Sequence, residues 1–170
     1  MLIDLQQRLQ PAIDGASEVL ASSIWLTHLA QRLRVPVVCT EQYPRGLGPT
    51  VPELRALLPD DCMVEKIHFS AVAEEGMTQV AGGRRPQVVV AGTEAHVCVL
   101  QTVLDLLSAG RSVFVVEEAI GSRRSSDKAL AIARMRHHGA DIVSREMVAF
   151  EWLRRAGTDT FREISRAFIR

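Results

Sequence analysis

Apolar and polar positions along the chain switch between two spacings. From Gly15 to Arg34 the apolar residues Ala16, Val19, Leu20, Ile24, Leu26, Leu29, Ala30 and Leu33 recur every three to four positions, which predicts one buried face of a helix. Val35 to Thr40 is instead a β-branched run, with Pro36 at its opening where a missing N–H is tolerated, and predicts a strand. Met63 to Lys66 predicts a third, short strand, followed by a helix across Ala71 to Ala81 that Gly82 and Gly83 close. Val88 to Ala91 predicts a buried strand ended by Gly92, after which the chain turns into a helix with Cys98 in its first turn. Val99, Thr102, Val103, Leu106 and Leu107 carry that helix to Gly110. Ser112 to Val116 and Asp141 to Ser144 read as strands around a helix that Ser125 or Ser126 caps and that runs to His138. A last helix holds Phe150, Trp152 and Leu153. Thr160 to Arg170 keeps helical spacing, with arginines between Phe161, Ile164, Ala167 and Phe168, and is expected to pack on a neighbouring subunit. Met1 to Asp4 reads as the tail of a strand that lacks its beginning, with Asp4 at its C-terminal end.

Strands alternating with helices imply an α/β fold, a parallel sheet covered on both faces, which places ligands at the carboxyl ends of its strands. The 170 residues fit a single domain, 1–170, with no repeat or long linker. A net charge of zero carries no footprint for nucleic acid or an acidic partner, and gives little protection against self-association. Cys39, Cys62 and Cys98 are odd in number and widely spaced, without a paired CxxC, so a reduced cytoplasmic chain is the expectation. No apolar run reaches the ~20 residues of a membrane span, and the start has no signal-peptide pattern, so a soluble, unprocessed protein off the membrane is expected.

Three reactive residues fall on the ligand-binding edge. Asp4 ends the first strand, Lys66 ends the third, and Cys98 begins the helix after the fourth. Unpaired N–H groups and the helix dipole favour a thiolate at Cys98, a nearby carboxylate can take its proton, and an ammonium favours both anions. Two plainer readings compete: Cys98 as a small hydrophobe packing the helix on the sheet, and Asp4 with Lys66 as a strand-end ion pair. The loop Glu41 to Thr50, stiffened by two prolines and two glycines, places Tyr43 either in a pocket wall or locally against proline. His96, two residues from the thiol, is expected to point away from it.

At these residues the chain resembles the isochorismatase-like cysteine hydrolases. The matching segments are Ile3-Asp4-Leu5-Gln6, Glu65-Lys66 with Phe69-Ser70, and Gly92 followed six positions on by Cys98. Thr40-Glu-Gln-Tyr-Pro44 with Gly46-Leu-Gly-Pro-Thr-Val-Pro-Glu53, and Ala133-Arg-Met135 with Gly139-Ala140, resemble the branch called isochorismatase-domain-containing proteins. The resemblance implies a three-layer Rossmann-like sandwich with a six-stranded parallel sheet in order 3-2-1-4-5-6. It also implies a triad in which Asp4 is the base, Cys98 the nucleophile and Lys66 the electrostatic partner. A small amide or related acyl substrate would form a thioester that water then hydrolyses. A cis peptide between Thr93 and Glu94 would aim the amides of Glu94 and Cys98 at one oxyanion, with Tyr43, Phe69 and Thr93 beside the substrate. Where nicotinamidases carry an Asp-x-His metal segment this chain has Glu41-Gln42-Tyr43, so no metal and no cofactor are expected, and nicotinamide is a doubtful substrate. The retained Cys98 speaks against the cysteine-free vinyl-ether chemistry of some members. The family commonly forms dimers and larger rings, so a homo-oligomer is expected.

Other classes make other forecasts. An oligomeric binding or scaffold protein with a vestigial site would keep its phenotype in Cys98→Ala. A redox or persulfide carrier would yield an oxidised Cys98 that thiols reduce catalytically, although no resolving cysteine is near in sequence. A nucleotide-binding site is disfavoured because Gly92-Thr-Glu-Ala95 lacks a glycine-rich phosphate cradle. The activated-thiolate reading forecasts faster alkylation at Cys98 than at Cys39 or Cys62 near neutral pH.

Overall fold

The computed structural model describes residues 1–169. Six strands, β1 (Leu2–Ile3), β2 (Cys39–Gln42), β3 (Met63–Lys66), β4 (Gln87–Thr93), β5 (Ser112–Gly121) and β6 (Asp141–Val143), form one sheet in the order β3-β2-β1-β4-β5-β6. Every neighbouring pair is parallel. Helix α1 (Ala16–Arg32) packs with α4 (Arg145–Leu153) around a core of Leu2, Leu26, Cys39, Ala91 and Val148. The opposite face holds α2 (Leu100–Ser108) and α3 (Ser125–His137) around Ile3, Val90, Val103, Val115 and Met135. No helix among the described residues is long and apolar enough to cross a membrane.

The polar residues that interrupt the apolar face of α1 are handled locally. Ser23 and Thr27 donate to the carbonyls of Val19 and Ser23 one turn back, each at 2.8 Å, so both hydroxyls are buried without an unpaired group. Ser144 caps α4 by accepting from the Met147 amide at 3.1 Å. The cap foreseen at Ser125 or Ser126 is absent: Arg124 occupies the N-cap position of α3 with no side-chain bond.

Three other expectations are corrected, and the tail gains contacts of its own. The ladder of β2 starts at Cys39, not Val35, because its partners β1 and β3 begin opposite Cys39. The helix expected across Ala71 to Ala81 breaks into two 3-10 turns, Ala71–Ala73 and Glu75–Thr78. Glu74 between them is extended, and its carboxylate accepts the amides of Ile67 and His68 at 2.9 and 3.0 Å. Strand β5 runs on to Gly121 through buried Ala119 and Ile120, past the charges of Glu117 and Glu118 that broke its apolar run. The tail, for which a subunit contact is expected, also packs on its own chain: in α5 (Asp159–Ile164) Ile164 is buried against Leu29 and Ala149. Beyond it the Phe168 carbonyl accepts from Trp25 Nε1 at 3.0 Å.

Two segments fix what stands at the carboxyl edge. β1 has only two ladder residues but is flanked on both sides, and Asp4 follows it with φ 52°, in the left-handed region that Asp tolerates better than most residues. Gly92 has φ 134°, and a Cβ there would lie 2.1 Å from the Ile3 carbonyl oxygen, so only glycine lets β4 approach β1 this closely.

Candidate active site

β1, β2 and β3 deliver Asp4, Gln42 and Lys66 to one point of this edge, and the turn after β4 brings Cys98. Lys66 Nζ lies 2.7 Å from Asp4 Oδ2, with both side chains wholly buried. Its N–H donors aim at Gln42 Oε1 (2.6 Å) and the Phe69 carbonyl (3.0 Å), with the His68 carbonyl at 3.4 Å. Asp4 Oδ1 accepts from Thr40 Oγ1 at 2.7 Å, while Oδ2 holds the ion pair but receives no aligned hydrogen bond. A buried carboxylate oxygen with spare lone pairs is suited to accept a proton. Cys98 Sγ is 3.9 Å from Gln42 Oε1.

Cys98 sits in a π turn, Ala95–Val99, rather than the first α turn, and its thiol is not preset as a thiolate. Burial, then the charge of Asp4, push its pKa up to about 12, and the Lys66 ammonium offsets only part of this. Burial outweighs the polar environment on which the expectation of an activated thiolate rests. A measurable consequence follows from the sign of the shift. Alkylation of Cys98 by iodoacetamide is expected to keep rising above pH 9, towards about pH 12, whereas an unperturbed thiol levels off just above 9. A plateau by pH 10, followed by mass spectrometry of the Cys98 peptide, would contradict the buried-thiol geometry.

The remaining expected residues divide. Tyr43 donates its amide to the Lys66 carbonyl at 2.8 Å, and Phe69 offers its carbonyl to Lys66 Nζ; both residues are about half exposed. The Tyr43 ring also lies over Gly46, so packing against its own loop accompanies the rim position. Thr93 is fully buried and donates its hydroxyl to the Asp4 carbonyl at 2.7 Å, so it holds the backbone of Asp4. The expected cis peptide is corrected: Thr93–Glu94 is trans, as is every described peptide. The change of direction is made by Gly92, and Glu94 continues at φ −64°, ψ 118°, so no rotated peptide is needed. Glu41, in the segment that departs from the metal-binding pattern, turns its carboxylate to the amide and hydroxyl of Thr50 at 2.6 and 2.7 Å. His96 points to Ser122, 3.0 Å from Nδ1 to Oγ.

Sequence reasoning missed Gln42, which joins the lysine to the thiol, because β2 was expected to end at Thr40. Gln6 lies in the segment Ile3-Asp4-Leu5-Gln6. It holds Gln42 in place, accepting from its amide at 2.8 Å and donating to its carbonyl at 3.0 Å. A cavity of about 1110 Å³ opens at the other end of the sheet, near Leu26, Val37, Val88 and Phe114. The ionisable side chains converge instead at the carboxyl edge.

Comparison with known proteins agrees with this fold. The family model described as the isochorismatase domain matches residues 1–147. Isochorismatase domain-containing protein 2A of Mus musculus is 37% identical over 167 residues, 97% of this chain and 79% of that protein. The structure of the MAR1 ribonuclease from Caenorhabditis elegans superposes with a TM-score of 0.88 at 33% identity, covering 99% of this chain and 88% of that one. The YcaC gene product from Escherichia coli, described as an octameric hydrolase of unknown specificity, has a TM-score of 0.88 at 26% identity over 99% of this chain and 86% of its own.

Proposed function

The chain belongs to the isochorismatase family, and from that premise we propose that it is a cysteine hydrolase of small amide or related acyl substrates. The observation that carries the reading is the buried Asp4–Lys66 ion pair, joined to Cys98 through Gln42. Asp4 Oδ2 takes the thiol proton as the sulfur attacks the carbonyl carbon and the carbonyl electron pair moves to oxygen. Lys66 pairs with the Asp4 carboxylate before the transfer and offsets the charge developing at sulfur. The Glu94 amide has no hydrogen-bond partner among the described residues, which favours it, with the Cys98 amide, as donor to the oxyanion. Collapse breaks the C–N bond, the amine leaves with the proton from Asp4, and a thioester remains on Cys98. Water then gives a proton to Asp4 and attacks the thioester; the acid leaves and the proton returns to sulfur. Tyr43 and Phe69 form the rim over which the substrate enters. The octameric YcaC supports the expectation of a homo-oligomer, with Tyr43, Ile67 and Phe69 as exposed apolar residues on this side of the fold.

The test is mass spectrometry of the intact protein after exposure to a panel of amides, carbamates and esters, with a short RNA added because the worm relative bears a ribonuclease name. An acyl adduct on the Cys98 peptide, absent in Cys98→Ala, is expected. Cleavage of the RNA by Cys98→Ala at the wild-type rate, with no adduct from any acyl compound, would refute the reading.

A further inference from the structure

A second charged group stands at the same edge, on the far side of the catalytic turn. Glu94 leads into the π turn, four residues before Cys98, and its side chain is about nine-tenths buried. Its Oε1 lies 2.7 Å from Nε of Arg123, two residues past Gly121, the register partner of Thr93. Its Oε2 has no hydrogen bond; the nearest donor is His96 Nδ1 at 3.5 Å, itself on Ser122. Glu94 thus lies between His96 and Arg123, and it pairs with the guanidinium on its Nε side as an ion pair without an aligned hydrogen bond. A guanidinium anchored at Nε presents its two terminal nitrogens as a fork facing away from the anchor. Neither terminal nitrogen of Arg123 has a partner among the described residues, and the side chain is 57% exposed. An arginine orientated by a buried carboxylate, with a free fork at the ligand-binding edge, fits a planar anion in a bidentate pair. Arg124, exposed beside it, adds positive charge; Asp127, whose Oδ2 is 4.0 Å from His96 Nε2, subtracts some.

We infer that Arg123 is the anion-recognition residue of this site and that the substrate carries a carboxylate beside its scissile acyl group. The inference rests on the reading of Cys98 as the nucleophile, but its test does not need turnover. Iodoacetate and iodoacetamide react alike: a bond forms from Cys98 Sγ to the methylene carbon, the C–I bond breaks, iodide leaves, and the thiol proton passes to solvent or Asp4. They differ in the carboxylate. At pH 9, the ratio of the iodoacetate to the iodoacetamide rate at Cys98, divided by the same ratio in the urea-unfolded protein, is expected to be about ten, the size of one net charge-assisted hydrogen bond. Arg123→Gln, a surface substitution, is expected to bring it to about one, Arg123→Lys to an intermediate value, and Arg124→Gln to leave it at the wild-type value. A wild-type ratio near one, or one that Arg123→Gln does not change, overturns the anion site and leaves the nucleophile standing. Cys98 unlabelled by both reagents overturns the nucleophile reading and this inference with it.

Discussion

Asp4→Asn is expected to lower turnover by about 10²- to 10⁴-fold, the usual contribution of a positioned general base, while making Cys98 easier to alkylate. The two changes have opposite signs for one reason. Asn keeps the shape and can still accept from Thr40 Oγ1, which now bonds Asp4 Oδ1 at 2.7 Å, but it cannot take a proton from sulfur. Removing the Asp4 charge also removes one of the causes that hold the thiol at about 12, and the offset from Lys66 remains. More thiolate is then present at pH 9, so iodoacetamide labelling accelerates even as hydrolysis fails. Hydrolysis rate and Cys98 labelling, measured on one preparation, separate base catalysis from thiolate activation. If both fall together, Asp4 acts chiefly by holding the site in shape. If both rise, it is not the base.

Lys66→Met is expected to cost about 3–5 kcal/mol of stability, because it leaves the wholly buried Asp4 carboxylate without its cation. The urea midpoint reports this directly. Asp4→Asn/Lys66→Met removes both charges, and most of the lost stability is expected to return, since a buried ion pair replaced as a unit by neutral groups is often close to neutral. Activity is not expected to return with it. A loss under about 1 kcal/mol in Lys66→Met would mean that water reaches the pair and that the site is not dry.

Much of this was legible in the chain. The 3.6-residue spacing of Val19, Leu26, Leu29 and Ala30 put α1 on the sheet, and the β-branched runs located the strands, because burial of one face leaves its period in the sequence. Asp4, Lys66 and Cys98 could be assembled because parallel strands deliver their ends to one edge. The break at Glu74 was not legible: the Ala71–Ala81 segment has helical composition, but the Glu74 carboxylate is committed to the amides of Ile67 and His68, and local spacing does not encode such a contact. Gln42 was hidden by a two-residue error in the end of β2, since strand length depends on where the partners stop.

What the sequence determined by itself was the order of elements and the kinds of side chain at the sheet's carboxyl edge, because both follow from period and residue chemistry. What only the tertiary structure decided was the state of those groups. Burial pushes the Cys98 thiol up, Thr93 braces the Asp4 backbone, the Thr93–Glu94 peptide is trans, and Arg123 pairs with Glu94 on its Nε side. Protonation and orientation are set by burial and by neighbours distant in the chain, and those arise only when the elements pack.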